Sequence, residues 1–111
     1  MDKLNILWLN DNVEVAHKML FMYAINSAKN SWWDNIEIII WGPTALLVAN
    51  DISIQEKIKI AQSNGVNFSA CLACAAEYNV DKKLESLNID VKYMGNPLTK
   101  ILKDNEKLIT I

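Results

Sequence analysis

Strand-length apolar runs, alternating with longer segments of helical spacing, leave this chain few folds to choose from. The runs are Leu4–Leu9 (LNILWL), Ile36–Trp41 (IEIIIW), Val66–Ala70 (VNFSA), Asp90–Tyr93 (DVKY) and Lys107–Ile111 (KLITI). Between the first two, Val13 to Lys29 places Ala16, Met19, Leu20, Tyr23, Ala24 and Ser27 three and four apart, on one predicted helix face. Thr44–Val48 and Ile54–Ala61 form a second helical region, broken around Asn50-Asp51. Leu72–Leu87 forms a third, interrupted near Asn79, and Leu98–Lys103 a short fourth. The first two strands are almost continuously apolar, which a parallel sheet covered on both faces requires. The fourth alternates, Val91 and Tyr93 against Asp90 and Lys92, and belongs nearer an edge. The pattern predicts an α/β fold with a five-stranded, mainly parallel sheet.

A length of 111 residues suits one small domain over 1–111, with a single core. At 51% hydrophobic and 22% charged residues, the composition is that of a folded globular protein. A net charge of -2 with scattered lysines argues against a nucleic-acid partner, which would ask for a basic stripe. The longest apolar stretches fall far short of a membrane span, and MDKLNILWLN has no signal-peptide pattern. The expectation is a complete, cytoplasmic protein with no membrane association.

Every strand-to-helix junction carries marked residues: Asn10-Asp11-Asn12, Gly42-Pro43-Thr44, Cys71-Leu72-Ala73-Cys74 and Gly95-Asn96-Pro97. In a parallel sheet these gather at the carboxyl edge, where open α/β folds place their ligands. The Asn, Gly and Pro turns equally suit plain helix starting, since Asn and Asp accept from free amides and Pro tolerates the first helical position. Cys71 stands apart. A helix starting there would direct unpaired amides and partial positive charge at its sulfur, favouring the reactive thiolate. Cys74, one turn later on the same side, would reach Cys71 as a resolving thiol. Against this stands the tendency of free cysteine to be a small buried hydrophobe.

Two cysteines in a reducing compartment do not make a structural staple, and with His17 distant they do not complete a zinc site. A thioredoxin-type motif would be expected after an early strand, with Gly-Pro between the cysteines; here the motif follows the third strand and holds Leu72-Ala73. Three glycines are too few for a phosphate loop, and no cofactor is expected. His17 lies mid-helix and reads as structural. Asp51, Glu56, Glu77, Asp81 and Glu85 read as caps and solvated faces. Trp8 and Trp41 should be core or pocket wall, and of Trp32-Trp33 one could serve an interface.

The stretches LNILWLNDN, KMLFMYAINSAK, WWDNIEIIIWGP, GVNFSACLACAAEYNV and LESLNIDVKYMGNPLT together resemble the DsrE/DsrF-like proteins, small α/β domains associated with sulfur relay. The resemblance covers nearly the whole chain. Its combination of IIIWGP, ACLAC and VKYMGNPLT is similar to a stand-alone branch of the family. It implies a three-layer α/β/α sandwich whose parallel sheet runs 4-3-2-1-5. It also implies a persulfide-carrying cysteine at the end of strand three, at the position of Cys71, and assembly as a homo-oligomer or with partner subunits. Cys74 is extra relative to a single-cysteine carrier.

Three functions follow as expectations. The first is a sulfur-handling protein, with Cys71 as persulfide acceptor, Cys74 assisting, a sulfur donor or acceptor protein as partner, and a pocket shaped by Asn10, Asp11, Gly42, Pro43, Gly95, Asn96 and Pro97. The second is a dithiol redox protein using both cysteines. The third is a non-enzymatic oligomeric binding protein whose cysteines only pack.

Overall fold

The computed structural model describes residues 2–111. Strands β1 (Lys3–Trp8), β2 (Asn35–Ile40), β3 (Asn67–Cys71), β4 (Asp90–Lys92) and β5 (Lys107–Thr110) form one sheet ordered β4-β3-β2-β1-β5. Every pairing is parallel. The order is the one the family resemblance implied, and alternating β4 is on an edge. The first helix, α1, covers 13–29. The others are α2 (Pro43–Asn50), α3 (Ile52–Ser63), α4 (Leu72–Glu77), α5 (Asp81–Ser86) and α6 (Gly95–Lys103).

Chain direction decides which face each helix covers. From β1 to β4 the strands step one way along the sheet, so right-handed crossovers put α1 to α5 on one face. The return from β4 to β5 runs the other way and puts α6 on the opposite face. Side-chain parity follows. Leu4, Ile6 and Trp8 of β1 and Ile36, Ile38 and Ile40 of β2 point into the main core with Leu20, Phe21, Ile54 and Ile58. Each such side chain contributes about 1.5–3 kcal/mol by leaving water. The intervening residues face α6, where Ile39, Cys71, Met94 and Ile101 form a smaller cluster. One helix is about 10 Å wide, against about 19 Å across five strands, so α6 alone leaves much of its face of the sheet uncovered. The sandwich is three-layered but lopsided.

Local structure departs from the periodicity reading at two places. Helix α1 is α-helical over Val13–Val15 and Met22–Lys29 but π-helical over Ala16–Phe21. The wider turn brings Phe21 into the core, five residues after Ala16, and turns Met19, expected inside, out to solvent. Helix α6 begins at Gly95 rather than Leu98, so Gly95, Asn96 and Pro97 form its first turn and not a preceding loop. Pro97 is tolerated there because the amide it lacks would have no intrahelical partner. The break at Asp51 and the interruption at Asn79 fall as expected. Asp51 has extended backbone and accepts from the Ile54 amide at 3.0 Å, while Asn79 adopts φ 58°.

Candidate functional site

Cys71 is the last residue of β3 and the residue before α4, with φ -67° and ψ 113°. Register pairs it with Lys92, so its side chain lies on the α6 side of the sheet. There it packs with Ile39, Met94 and Ile101 and is 5% exposed. Its side chain makes no capping hydrogen bond to α4, which has only six residues. The expectation of an open sulfur bonded by helix amides is therefore corrected. Cys71 is at the expected edge, but what surrounds it is apolar side chains from β2, from α6 and from Met94 just before α6.

Cys74 is half-buried and packs against the same cluster that holds Cys71. Both thiols are free. Burial pushes the Cys74 thiol above its ordinary range, and the neighbouring Cys71 side chain adds to the rise. The Gly42 backbone works the other way, by hydrogen bonding to the Cys74 sulfur. Gly42 holds φ 68° and ψ -133°, a backbone region that side chains rarely adopt. No heavy atom stands within 4 Å of where a Cβ would sit, so conformation and not space calls for glycine there. Pro43 opens α2 and is exposed.

Thr44, fully buried, anchors this edge. Its Oγ1 donates to the Trp8 carbonyl at 2.8 Å and accepts from the Trp41 amide at 3.1 Å, joining the ends of β1 and β2. Thr44 read only as part of its turn, although a hydroxyl at the helix start two residues after Gly42 is the available signal.

The other predicted pocket residues separate. Asn10 and Asp11 are exposed. The Asn10 amide bonds the Ile111 carbonyl at 3.1 Å, its Oδ1 accepts from the Asn12 amide, and its carbonyl takes the Trp8 indole N–H. Asn12 performs the expected capping of α1, accepting from Val15 at 3.1 Å. Gly95 and Asn96 are exposed on α6. Of the predicted pocket-shaping residues, Pro97 lines a groove, of about 210 Å³, between α6 and the sheet. A shared cavity made by all four turns is thus not what the fold builds.

His17 is structural, as expected: its Nε2 pairs with the Ser53 hydroxyl at 3.0 Å, and Ser53 donates to Asp51 at 2.6 Å, linking α1 to α3. The Ser53 hydroxyl and then the Ile54 amide hold the Asp51 carboxyl below its usual range. Trp33 is half-buried and donates to the Tyr23 hydroxyl at 3.0 Å, whereas Trp32 is 55% exposed. Trp8 is core, edge-on to Phe21 with ring centres 5.7 Å apart. Among the described residues, no three His, Cys, Asp or Glu side chains stand together as metal ligands. Among them too, no helix is long and apolar enough to cross a membrane.

Comparison with known proteins places this geometry. The model of the DsrE/DsrF-like family matches residues 6–111. A conserved protein of unknown function from Bacteroides thetaiotaomicron, BT1422, has 44% sequence identity and a TM-score of 0.98, over 99% of this chain and 95% of that one. MTH1491 from Methanobacterium thermoautotrophicum, also of unknown function, shares the fold at 16% identity and TM-score 0.81, with full coverage of both chains. The ychN protein of E. coli does so at 13% identity and TM-score 0.74, again covering both chains fully. No curated protein matches the chain significantly.

Proposed function

The chain belongs to the DsrE/DsrF-like family, and from that premise we propose that it handles sulfur, with Cys71 accepting a persulfide sulfur and Cys74 assisting. The observation that carries the reading is the packing of both cysteines into one cluster at the carboxyl end of β3. A Cys74 held in its protonated form is a donor placed to bond an anionic sulfur on Cys71. The half-buried position of Cys74 and the burial of Cys71 favour a carrier that shields its sulfur over one that displays it.

In the forward step the Cys71 thiolate attacks the outer sulfur of a donor persulfide. A new S–S bond forms at Cys71, the donor S–S bond breaks, and the donor leaves as a thiolate. The sulfane sulfur keeps its oxidation state, so no electrons enter or leave the pair of molecules. Discharge has two routes. An acceptor thiolate repeats the same exchange, or the Cys74 thiolate attacks the inner Cys71 sulfur, expels hydrosulfide and leaves a Cys71–Cys74 disulfide. The elevated range of Cys74 slows the second route at neutral pH, which suits a carrier in a reducing cytoplasm.

Incubation of the reduced protein with a low-molecular-weight persulfide, followed by intact-mass measurement, tests this. The wild type should gain one sulfur that a reductant removes, and Cys71→Ser should gain none. Cys74→Ser should load and then release less hydrosulfide than wild type. Loading that persists in Cys71→Ser, or is absent from wild type, sinks the reading. The same packing also favours a dithiol redox protein. Mild oxidant alone would then close the Cys71–Cys74 disulfide, while persulfide added no mass.

A further inference from the structure

The groove between α6 and the sheet holds groups that neither the fold nor the thiol pair explains. Among the described residues three buried side-chain polar atoms have no hydrogen-bond partner: Asn5 Oδ1, Ser27 Oγ and Ser69 Oγ. Asn5 and Ser69 both line this groove, and they are 0% and 2% exposed. A buried polar group without a partner costs about 1–3 kcal/mol, so two such residues lining one cavity call for something to fill it. The orientation of Asn5 is fixed, because its Nδ2 donates to Glu106 Oε1 at 3.2 Å and to the Lys107 carbonyl at 3.1 Å. What it offers the groove is an acceptor.

The strand register spaces these groups. Asn5 pairs with Glu37 across β1 and β2, setting two acceptors side by side, with Lys3, Lys100 and Glu106 also in the lining. Ser69 lies on β3, beside Ile39, with Lys92 also in the lining. Two strand spacings, about 10 Å, separate the lines of β1 and β3. One small charged group cannot serve both ends. Between them the floor is apolar, made by Ile39 and, from α6, Ile101. A cavity of about 210 Å³ has room for about seven waters or a molecule of that size.

We infer that this groove binds a small zwitterion, its ammonium between Asn5 Oδ1 and Glu37, its carboxylate at the Ser69 hydroxyl and Lys92, and a short methylene chain over Ile39 and Ile101. The unpartnered Asn5 oxygen needs a donor, and an ammonium supplies several. At the other end the Ser69 hydroxyl donates to a carboxylate, and Lys92, already 2.9 Å from Asp90, adds positive charge at the rim. An α-amino acid holds its charges too close together to serve both ends, whereas an ω-amino acid or a dipeptide-sized molecule fits the separation. This site is distinct from the thiol pair and stands independently of the sulfur reading.

The test is a titration of the isotope-labelled full chain with δ-aminovalerate, followed through backbone amide resonances. Pentylamine and pentanoate serve as the single-charge controls. Saturable shifts at Asn5, Glu37, Ser69 and Lys92 are expected, with each control at least about tenfold weaker. Glu37→Gln and Ser69→Ala should each weaken binding by about tenfold while keeping the wild-type amide spectrum elsewhere; Glu37 is only half-buried, so the first variant keeps the test open if the second misfolds. The inference is overturned by shifts that never saturate, by controls that bind equally well, or by shifts indifferent to both variants. It is equally overturned if diluting the protein alone moves the same resonances, because a second copy would then be closing the face.

Discussion

Replacing Met94 with alanine should unlock buried Cys71 far more than the already half-exposed Cys74. Cys71 is 5% exposed because Met94 and Ile101, both buried, lie over it from the residue before α6 and from its last turn. For a reagent to reach the sulfur, the first turn of α6 must lift and part of that apolar contact must be lost. Full exposure of one such side chain costs about 1.5–3 kcal/mol, so an opening that exposes most of one costs about 2 kcal/mol. That factor predicts that Cys71 reacts with iodoacetamide about thirtyfold more slowly than an open thiol of equal ionisation. Met94→Ala removes the larger part of the cover and should raise the Cys71 rate by about tenfold or more. The variant should also lose about 2–4 kcal/mol of global stability, measurable by urea titration. Site-resolved alkylation by peptide mass mapping, far below the unfolding transition, reads the two thiols separately. A wild-type Cys71 that reacts as fast as Cys74, or a Met94→Ala protein whose Cys71 rate is unchanged, refutes the picture of a latch made by α6.

Thr44→Val keeps the shape of the side chain but removes the hydroxyl shared by the Trp8 carbonyl and the Trp41 amide, which keep only their own 3.3 Å bond to each other; a loss of about 1 kcal/mol in urea unfolding is expected, and one under about 0.5 kcal/mol would show that the strand ends do not depend on it. Asp51→Ala should cost about 1 kcal/mol at neutral pH through loss of the α3 cap. Since the folded-state value of Asp51 lies below its ordinary 3.8, the ionised carboxylate stabilises the native state above that pH, and the contribution is lost as pH falls through the folded value. The gap between wild type and variant should therefore narrow in acid; a gap that widened would contradict the capping role.

The sequence carried the strand runs, the break at Asp51 and the edge position of β4, because each rests on local chemistry: apolar continuity, a capping carboxylate, alternation. It also placed Cys71 at its junction. It did not carry the burial of that sulfur, which comes from Met94 and Ile101 on a helix that crosses to the other face only because the chain reverses direction after β4. The early start of α6 was hidden by Gly95-Asn96-Pro97, which reads as a turn until the missing amide of Pro97 is seen to be one a first helical turn does not use. The π-helical turn in α1 defeats a 3.6-residue count by construction, and so Met19 and Phe21 exchange sides. Asn5 and Ser69 were legible in principle, as polar residues within LNILWL and VNFSA. Their shared orientation depends on register between strands that are not adjacent, which no single run discloses.

Met94 and Ile101 belong at once to the cover over Cys71 and to the wall of the neighbouring groove. Two compartments with a common partition do not respond independently: whatever draws these side chains toward one compartment changes the other, and thermodynamic reciprocity makes the influence equal in both directions. A molecule seated beyond Ile39 would thus register as a tighter or weaker hold of Cys71 on its extra sulfur, and that extra atom as a tighter or looser seat.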